Sequence, residues 1–295
     1  MPFRFRSSDT SVEEGFRRIA CERLDEALAL LCSSDAPPAR IVHQLRRTCK
    51  AMRGLLRLVR PAFPAYQTEN AAFRDIAAML SGARDSAVLI ETLDSLIDAD
   101  EARQDWAMLR SHWAAPGHGA AGAMAEQIES CRAPLLAARV RAPTWALTAR
   151  GEDAILPGLR KTYRQTRQAM RGLEAVSGTP AAAQASHAWR KHVKYHGQHI
   201  RLLSRLNPDL AKRRLARTDR LGDLLGDRHD LDMLIARLRQ DGGLLSEPAA
   251  AAQLAALAHK RAEALARKAT RLGEALFAEK PSDLAAHWAI PPHRR

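Results

Sequence analysis

The sequence predicts an all-α protein built from two copies of one multi-helix unit. Three observations carry that expectation. The 295-residue chain is rich in Ala, Leu and Arg, and only 5% of it is aromatic, a composition that favours helices. Apolar residues recur at helical spacing along most of its length, and the alternation of a half-buried strand is almost absent. The chain also aligns with itself at a nearly constant offset of about 144 residues, the signature of an internal repeat.

Taken in order, residues 11–33 form an amphipathic helix. Thr10 or Ser11 caps it, and Glu13 and Glu14 occupy its first turn, as an N-terminus requires. Ala20, Leu24, Ala27, Leu28 and Leu31 make its apolar side, and Arg17 and Arg18 lie near its start. Asp35-Ala-Pro-Pro stops it. A basic helix over 41–60 follows and ends at Pro61. Residues 67–81 and 84–99 read as helices broken near Ser81-Gly82, and 101–114 as another. The run from Pro116 to Gly122 is the most linker-like stretch, and helix returns over 123–141. A second series begins after Pro143, with helices over 152–176 (broken at or near Pro157), 180–206, 209–225, 229–240 and 249–278. Residues 281–288 form a short final one. The expected organisation is one domain over 1–295. It comprises a first half over 10–115, a connecting segment and helix over 116–142, and a second half over 143–290.

The repeat is carried by three blocks in the same order. His43 meets His187, Arg46 meets Arg190, Arg47 meets Lys191, Lys50 meets Lys194 and Arg57 meets Arg201. Upstream, Gly15-Phe-Arg-Arg meets Gly158-Leu-Arg-Lys, which brings Lys161 into register with Arg18. Downstream, residues 80–89 meet 225–234. Two copies imply a duplicated bundle rather than an open solenoid.

The repeated helices are unusual in their charge. On residues 41–60, His43, Arg46, Arg47, Lys50, Arg53 and Arg57 share one stripe, opposite Leu45, Cys49, Met52, Leu55, Leu56 and Val59. An amphipathic helix normally carries mixed charge on its solvent face; this stripe holds no acid. It extends about 21 Å from His43 to Arg57 at 1.5 Å per residue. In the second copy His187, Arg190, Lys191, Lys194 and Arg201 lie opposite Trp189, Val193, Ile200 and Leu203, and Gly197 stands where Arg53 would be matched. The preceding helix adds Arg160, Arg164, Arg167 and Arg171, flanked by Tyr163 and Gln168. A basic stripe on one helix is ordinarily a solvated face. Two matched stripes and a third beside them point instead to a long anion.

Bulk charge agrees. The net charge of +13 and a pI near 10.3 indicate a polyanionic partner such as nucleic acid, an anionic lipid surface or a phosphate polymer. No apolar run approaches the ~18 residues of a membrane span, and the N-terminus has no apolar signal region. Cys21, Cys32, Cys49 and Cys131 form no CxxC pair and read as reduced, mostly buried thiols of a cytoplasmic protein. His229 with Asp223, Asp227, Asp230 and Asp232 suggests a metal site. The repeat counters this, because His229 matches Arg84, which cannot ligate a metal. Asp85 and Asp230 read as helix caps or as partners of a basic side chain. His192, His196 and His199 fall outside the stripe and read as structural or partner-facing. Tyr163 is equally a packing or a ligand-contacting residue, and Lys280 either reaches the basic surface or ends a helix. No GxxxxGK[ST] loop is present, and the acids do not cluster on the basic faces. The chain is therefore expected to be no enzyme and to need neither cofactor nor metal.

These features resemble the CHAD (conserved histidine α-helical domain) family. The matching pieces are SVEEGFRRIACERLDEAL, VHQLRRTCKAMRGLLRLVRP, GLRKTYRQTRQAM, HAWRKHVKYHGQHIRLL, LGDLLGDRHDLDML and LGEALFAEKP, spread over residues 11–281. The resemblance implies two pseudo-symmetric four-helix bundles enclosing a basic channel or groove that binds inorganic polyphosphate, for which phosphate or sulfate can substitute. It also implies targeting to polyphosphate granules. The ExExK signature of the triphosphatase domain often fused to the family is absent from this sequence. Polyphosphate offers charge and oxygen acceptors but no base edges. Binding therefore falls to Arg forks and Lys charges, with counterion release. His43 and His187 can donate from a ring nitrogen and gain a proton beside a polyanion. Nucleic acid is the weaker alternative, because aromatics interleaved with the cations are scarce.

Overall fold

The computed structural model describes residues 3–33, 36–80, 85–97, 105–114, 120–176, 178–179, 181–241 and 248–289. It is all-α, and no strand occurs among the described residues. The helices are α1 (Val12–Leu31), α2 (Pro38–Val59), α3 (Tyr66–Met79), α4 (Asp85–Ile97), α5 (Asp105–Ala114), α6 (Ala120–Ser130), α7 (Arg132–Arg141), α8 (Gly151–Ala175), α9 (Ala182–Leu202), α10 (Pro208–Asp241), α11 (Pro248–Leu276) and α12 (Pro281–Ala286). The expected stop at Asp35, the break at Ser81-Gly82 and most of the Pro116–Gly122 linker lie outside the described residues.

Ser11 is the cap of α1: its side chain accepts from Glu14 N at 3.0 Å, while Thr10 N donates to the Glu14 carboxylate. This resembles a capping box, except that the carboxylate reaches the amide one residue ahead of the cap. Three expectations are corrected. Pro157 does not break its helix but lies inside α8 as its seventh residue; its missing N–H forfeits one intrahelical hydrogen bond. The helices expected over 209–225 and 229–240 are one 34-residue helix, α10, because Gly226 is a tolerated interior glycine rather than a stop. Residues 123–141 are two helices that meet at Cys131.

Three apolar cores hold the helices together. The first joins α1, α2, α3, α7 and the start of α8, with Phe16, Leu55 and Leu56 fully buried and Phe16 stacked on Trp145 at 5.1 Å. The second joins α4, α5, the end of α10 and α11 through Leu93, Trp113 and Leu234. The third joins α8, α9, the middle of α10 and the end of α11 around Trp189, Tyr163 and Phe277. Glu69 of α3, almost fully buried, accepts two bonds from Arg141 of α7 at 2.7 and 2.9 Å; a buried carboxylate needs such a bidentate partner.

Two close approaches set the geometry of the basic helices. A Cβ on Gly158 of α8 would lie 1.7 Å from the Leu58 carbonyl oxygen of α2, so only glycine fits. A Cβ on Gly54 of α2 would meet the Gln198 side chain of α9 at 1.7 Å. The His199 Nε2 is 3.1 Å from the Gly54 carbonyl oxygen beside it. Gly54 and Gln198 lie 144 positions apart, the offset at which the two basic stripes align in the sequence.

Candidate anion-binding site

The α2–α9 crossing lies one turn beyond Lys50 and Lys194, and it brings the two stripes together. His43, Arg46, Arg47 and Lys50 of α2 line a cleft of about 200 Å³ with Arg190 of α9. Val88 and Leu89 of α4 and His229, Asp230 and Met233 of α10 complete it. Arg46 is oriented by donating to the Leu80 carbonyl oxygen at 2.9 Å, at the end of α3. Arg47 donates to Gln44 at 3.2 Å and remains exposed. The Arg190 guanidinium lies over Gly226 of α10, with Nη2 3.4 Å from where a Cβ would sit. His187 packs against His229 with ring centroids 4.8 Å apart.

Crowding of like charges shows in the titration of α9. Burial pushes His187 below its ordinary value, and Arg190, Lys191, Lys194 and Lys50 push it further. Lys194, still exposed at its outer side, is brought down to about 8 by partial desolvation and then by Arg190 and Lys50, against the opposing pull of Asp230 and Asp223. Desolvation and like charge both disfavour the protonated ammonium, and the two acids only partly oppose them.

A second basic surface lies along α8. Arg160, Lys161 and Arg164 line an open groove of about 700 Å³ with Lys280, Pro281 and Ser282. The Glu279 carbonyl oxygen, which accepts from Tyr163 at 3.2 Å and Arg167 at 3.0 Å, pins the far wall and places Lys280 on the groove. Tyr163 itself is fully buried and packs on Phe277, so its place is in the core.

Other predicted residues are placed elsewhere. Arg18 is held by Asp9 and Glu22 and by the Arg4 carbonyl oxygen, and Arg17 by Glu13 and the Trp145 carbonyl oxygen. Both tie α1 to neighbouring segments. Arg53 donates to Asn70 at 3.3 Å, and Arg57 lies over the Tyr195 ring at 4.3 Å. Arg201 pairs with Asp219. Lys191 is exposed. His196 and His199 are fully buried. Asp230 lies inside α10 and is no helix cap; the side chain of Asp85 lies outside the described residues. Cys49 and Cys131 are buried thiols, whereas Cys32 is exposed. Among the described residues no group of three or more His, Cys, Asp or Glu side chains is placed to hold a metal ion, and no helix is long and apolar enough to cross a membrane.

The comparisons with known proteins decide the family. The family model described as CHAD domain matches residues 18–239. The chain belongs to the CHAD family. That family is associated with polyphosphate binding in general. No curated protein and no solved structure gives a significant match. The CHAD match covers both basic helices and ends inside α10, leaving α11, α12 and Lys280 beyond it. His229, Met233, Val88 and Leu89 were not singled out as binding residues from the sequence. The pairing of His229 with Arg84 in the repeat was the one available signal that position 229 faces the basic surface.

Proposed function

We propose that this CHAD chain is a non-catalytic binding module for inorganic polyphosphate. The observation that carries the reading is the convergence of His43, Arg46, Arg47 and Lys50 with Arg190 in one cleft. Five groups from two crossing helices face a space of about 200 Å³, too small for a folded domain. Arg46 and Arg190 are pre-oriented on α3 and α10, so little side-chain freedom is lost on binding. The α8 groove supplies a second basic surface along which a long polymer continues. Arg53, Arg57 and Arg201 have partners within the protein and serve as exchangeable contacts at the edges. Association with polyphosphate granules in the cytoplasm follows from binding a polymer multivalently.

The test is calorimetric titration with long-chain polyphosphate, duplex DNA and RNA at matched phosphate concentration and physiological salt. Polyphosphate is expected to bind tightest, and equal or tighter binding of DNA would establish the nucleic-acid alternative. Replacing Arg46, Lys50, Arg190 and Lys194 together by Ala is expected to weaken polyphosphate binding and to reduce its salt slope by up to about four contacts. An unchanged affinity places the site elsewhere. Release of phosphate from polyphosphate with added Mg²⁺ would refute the non-catalytic role.

A further inference from the structure

Three imidazoles converge on the cleft from three helices: His43 from α2, His187 from α9 and His229 from α10. His43 and His229 line it directly, and His187 lies against His229 at 4.8 Å. The charged groups facing them are Arg46, Arg47 and Lys50 on α2, Arg190, Lys191 and Lys194 on α9, and Asp223 and Asp230 on α10. Among the described residues, permanent cations outnumber acids around a cluster of groups that can each take one more proton.

We infer that anion binding in this cleft is coupled to proton uptake by the His43–His187–His229 cluster and Lys194, and that His229 is a third imidazole of the anion site. The inference rests on the polyphosphate reading. The physical basis is linkage. The surrounding cations disfavour a proton on His187 and Lys194 while the cleft is empty. A polyanion cancels their repulsion and adds attraction, so the same groups bind a proton more tightly when the ligand is present. Burial and neighbouring cations already hold His187 below its ordinary value and Lys194 at about 8. His187 therefore has a proton to gain near pH 7, and Lys194 gains its own mainly near pH 8 and above. Affinity then rises as pH falls, by about tenfold per pH unit for each proton taken up. Asp230 serves the empty state, offsetting part of the repulsion.

The experiment is titration of the full chain with long-chain polyphosphate at pH 7 in buffers of differing ionisation enthalpy. Internal phosphates are strong acids, so a long chain contributes few titrating ends. A buffer-dependent heat showing net proton uptake, with affinity falling from pH 6 to pH 9, is expected. His229→Gln alone is expected to lower the uptake, and His43→Gln, His187→Gln and His229→Gln together to remove most of it at pH 7. Lys194→Arg, which keeps the charge, is expected to remove uptake near pH 8. Binding with buffer-independent heats, or full uptake in the folded His229→Gln protein, overturns the inference and leaves the polyphosphate reading standing. No binding at any pH overturns both.

Discussion

At His196 and His199 the charge state of this protein is tied to its folding. Both are fully buried. Burial holds His199 at about 3 and His196 well below its ordinary value, with Arg60 and Arg57 adding to the effect on His199 and Arg214 to that on His196. A folded-state value below the unfolded one means the unfolded chain binds more protons. Stability is then complete above about pH 6.5 and is lost as pH falls from there toward the folded value. Urea unfolding between pH 6.5 and 4.5 is expected to show stability dropping by up to about 1.4 kcal/mol per pH unit for each histidine. His196→Phe extends the packing of Tyr163 and Phe277 and is expected to reduce that slope by one proton; an unchanged slope would show that His196 binds a proton equally in the folded and unfolded states. Gly158 is a second sensitive residue. The atom facing it is a backbone carbonyl oxygen that cannot swing aside, so Gly158→Ala is expected to cost about 3 kcal/mol, seen as a lower urea midpoint at unchanged m.

At the scale of elements, α10 is the member that unites the cores. Its middle turns bury Leu221, Leu224 and Leu225 against α8, α9 and α11, while Leu231, Leu234, Ile235 and Leu238 face α4, α5 and α11. Arg228 and Asp232, paired at 3.7 Å, lie between the two sets. His229, Asp230 and Met233 reach the cleft from the same turns. Leu234→Ala is expected to cost about 2–5 kcal/mol. Hydrogen exchange should then accelerate in α4, α5 and the end of α10 while α8 and α9 keep their protection. Uniform acceleration would show that the cores unfold together. The basic helices are less self-sufficient. α2 has no side-chain cap and no acid in its first turn, so its order depends on the core beneath Leu55 and Leu56.

The whole molecule carries a net charge of +13 and concentrates part of it in the cleft and along the α8 groove. Self-repulsion of that kind lowers stability until a polyanion arrives. Polyphosphate at about 100 times its dissociation constant is expected to stabilise the fold by about 2.7 kcal/mol. The rise in Tm should shrink at high salt, since exposed charges are screened. A Tm unchanged by saturating polyphosphate would mean that the ligand does not distinguish the folded from the unfolded chain.

The sequence by itself determined the helical class, most helix positions and the basic faces of α2, α8 and α9. Periodicity and charge are local properties, and a 3.6-residue repeat fixes which side chains share a face. It also placed His43, Arg46, Arg47, Lys50 and Arg190 in one set through the repeat. Local pattern could not decide whether 209–241 is one helix or two, since Gly226 is tolerated within a helix that is packed along its length. Nor could it separate Arg18, consumed by Asp9 and Glu22, from its repeat partner Lys161, which lines a groove. Those outcomes depend on which neighbour lies within hydrogen-bond reach, and tertiary packing alone sets that. The same holds for the cleft. The sequence supplied its cations, and the close α2–α9 crossing at Gly54 brought them together with His229.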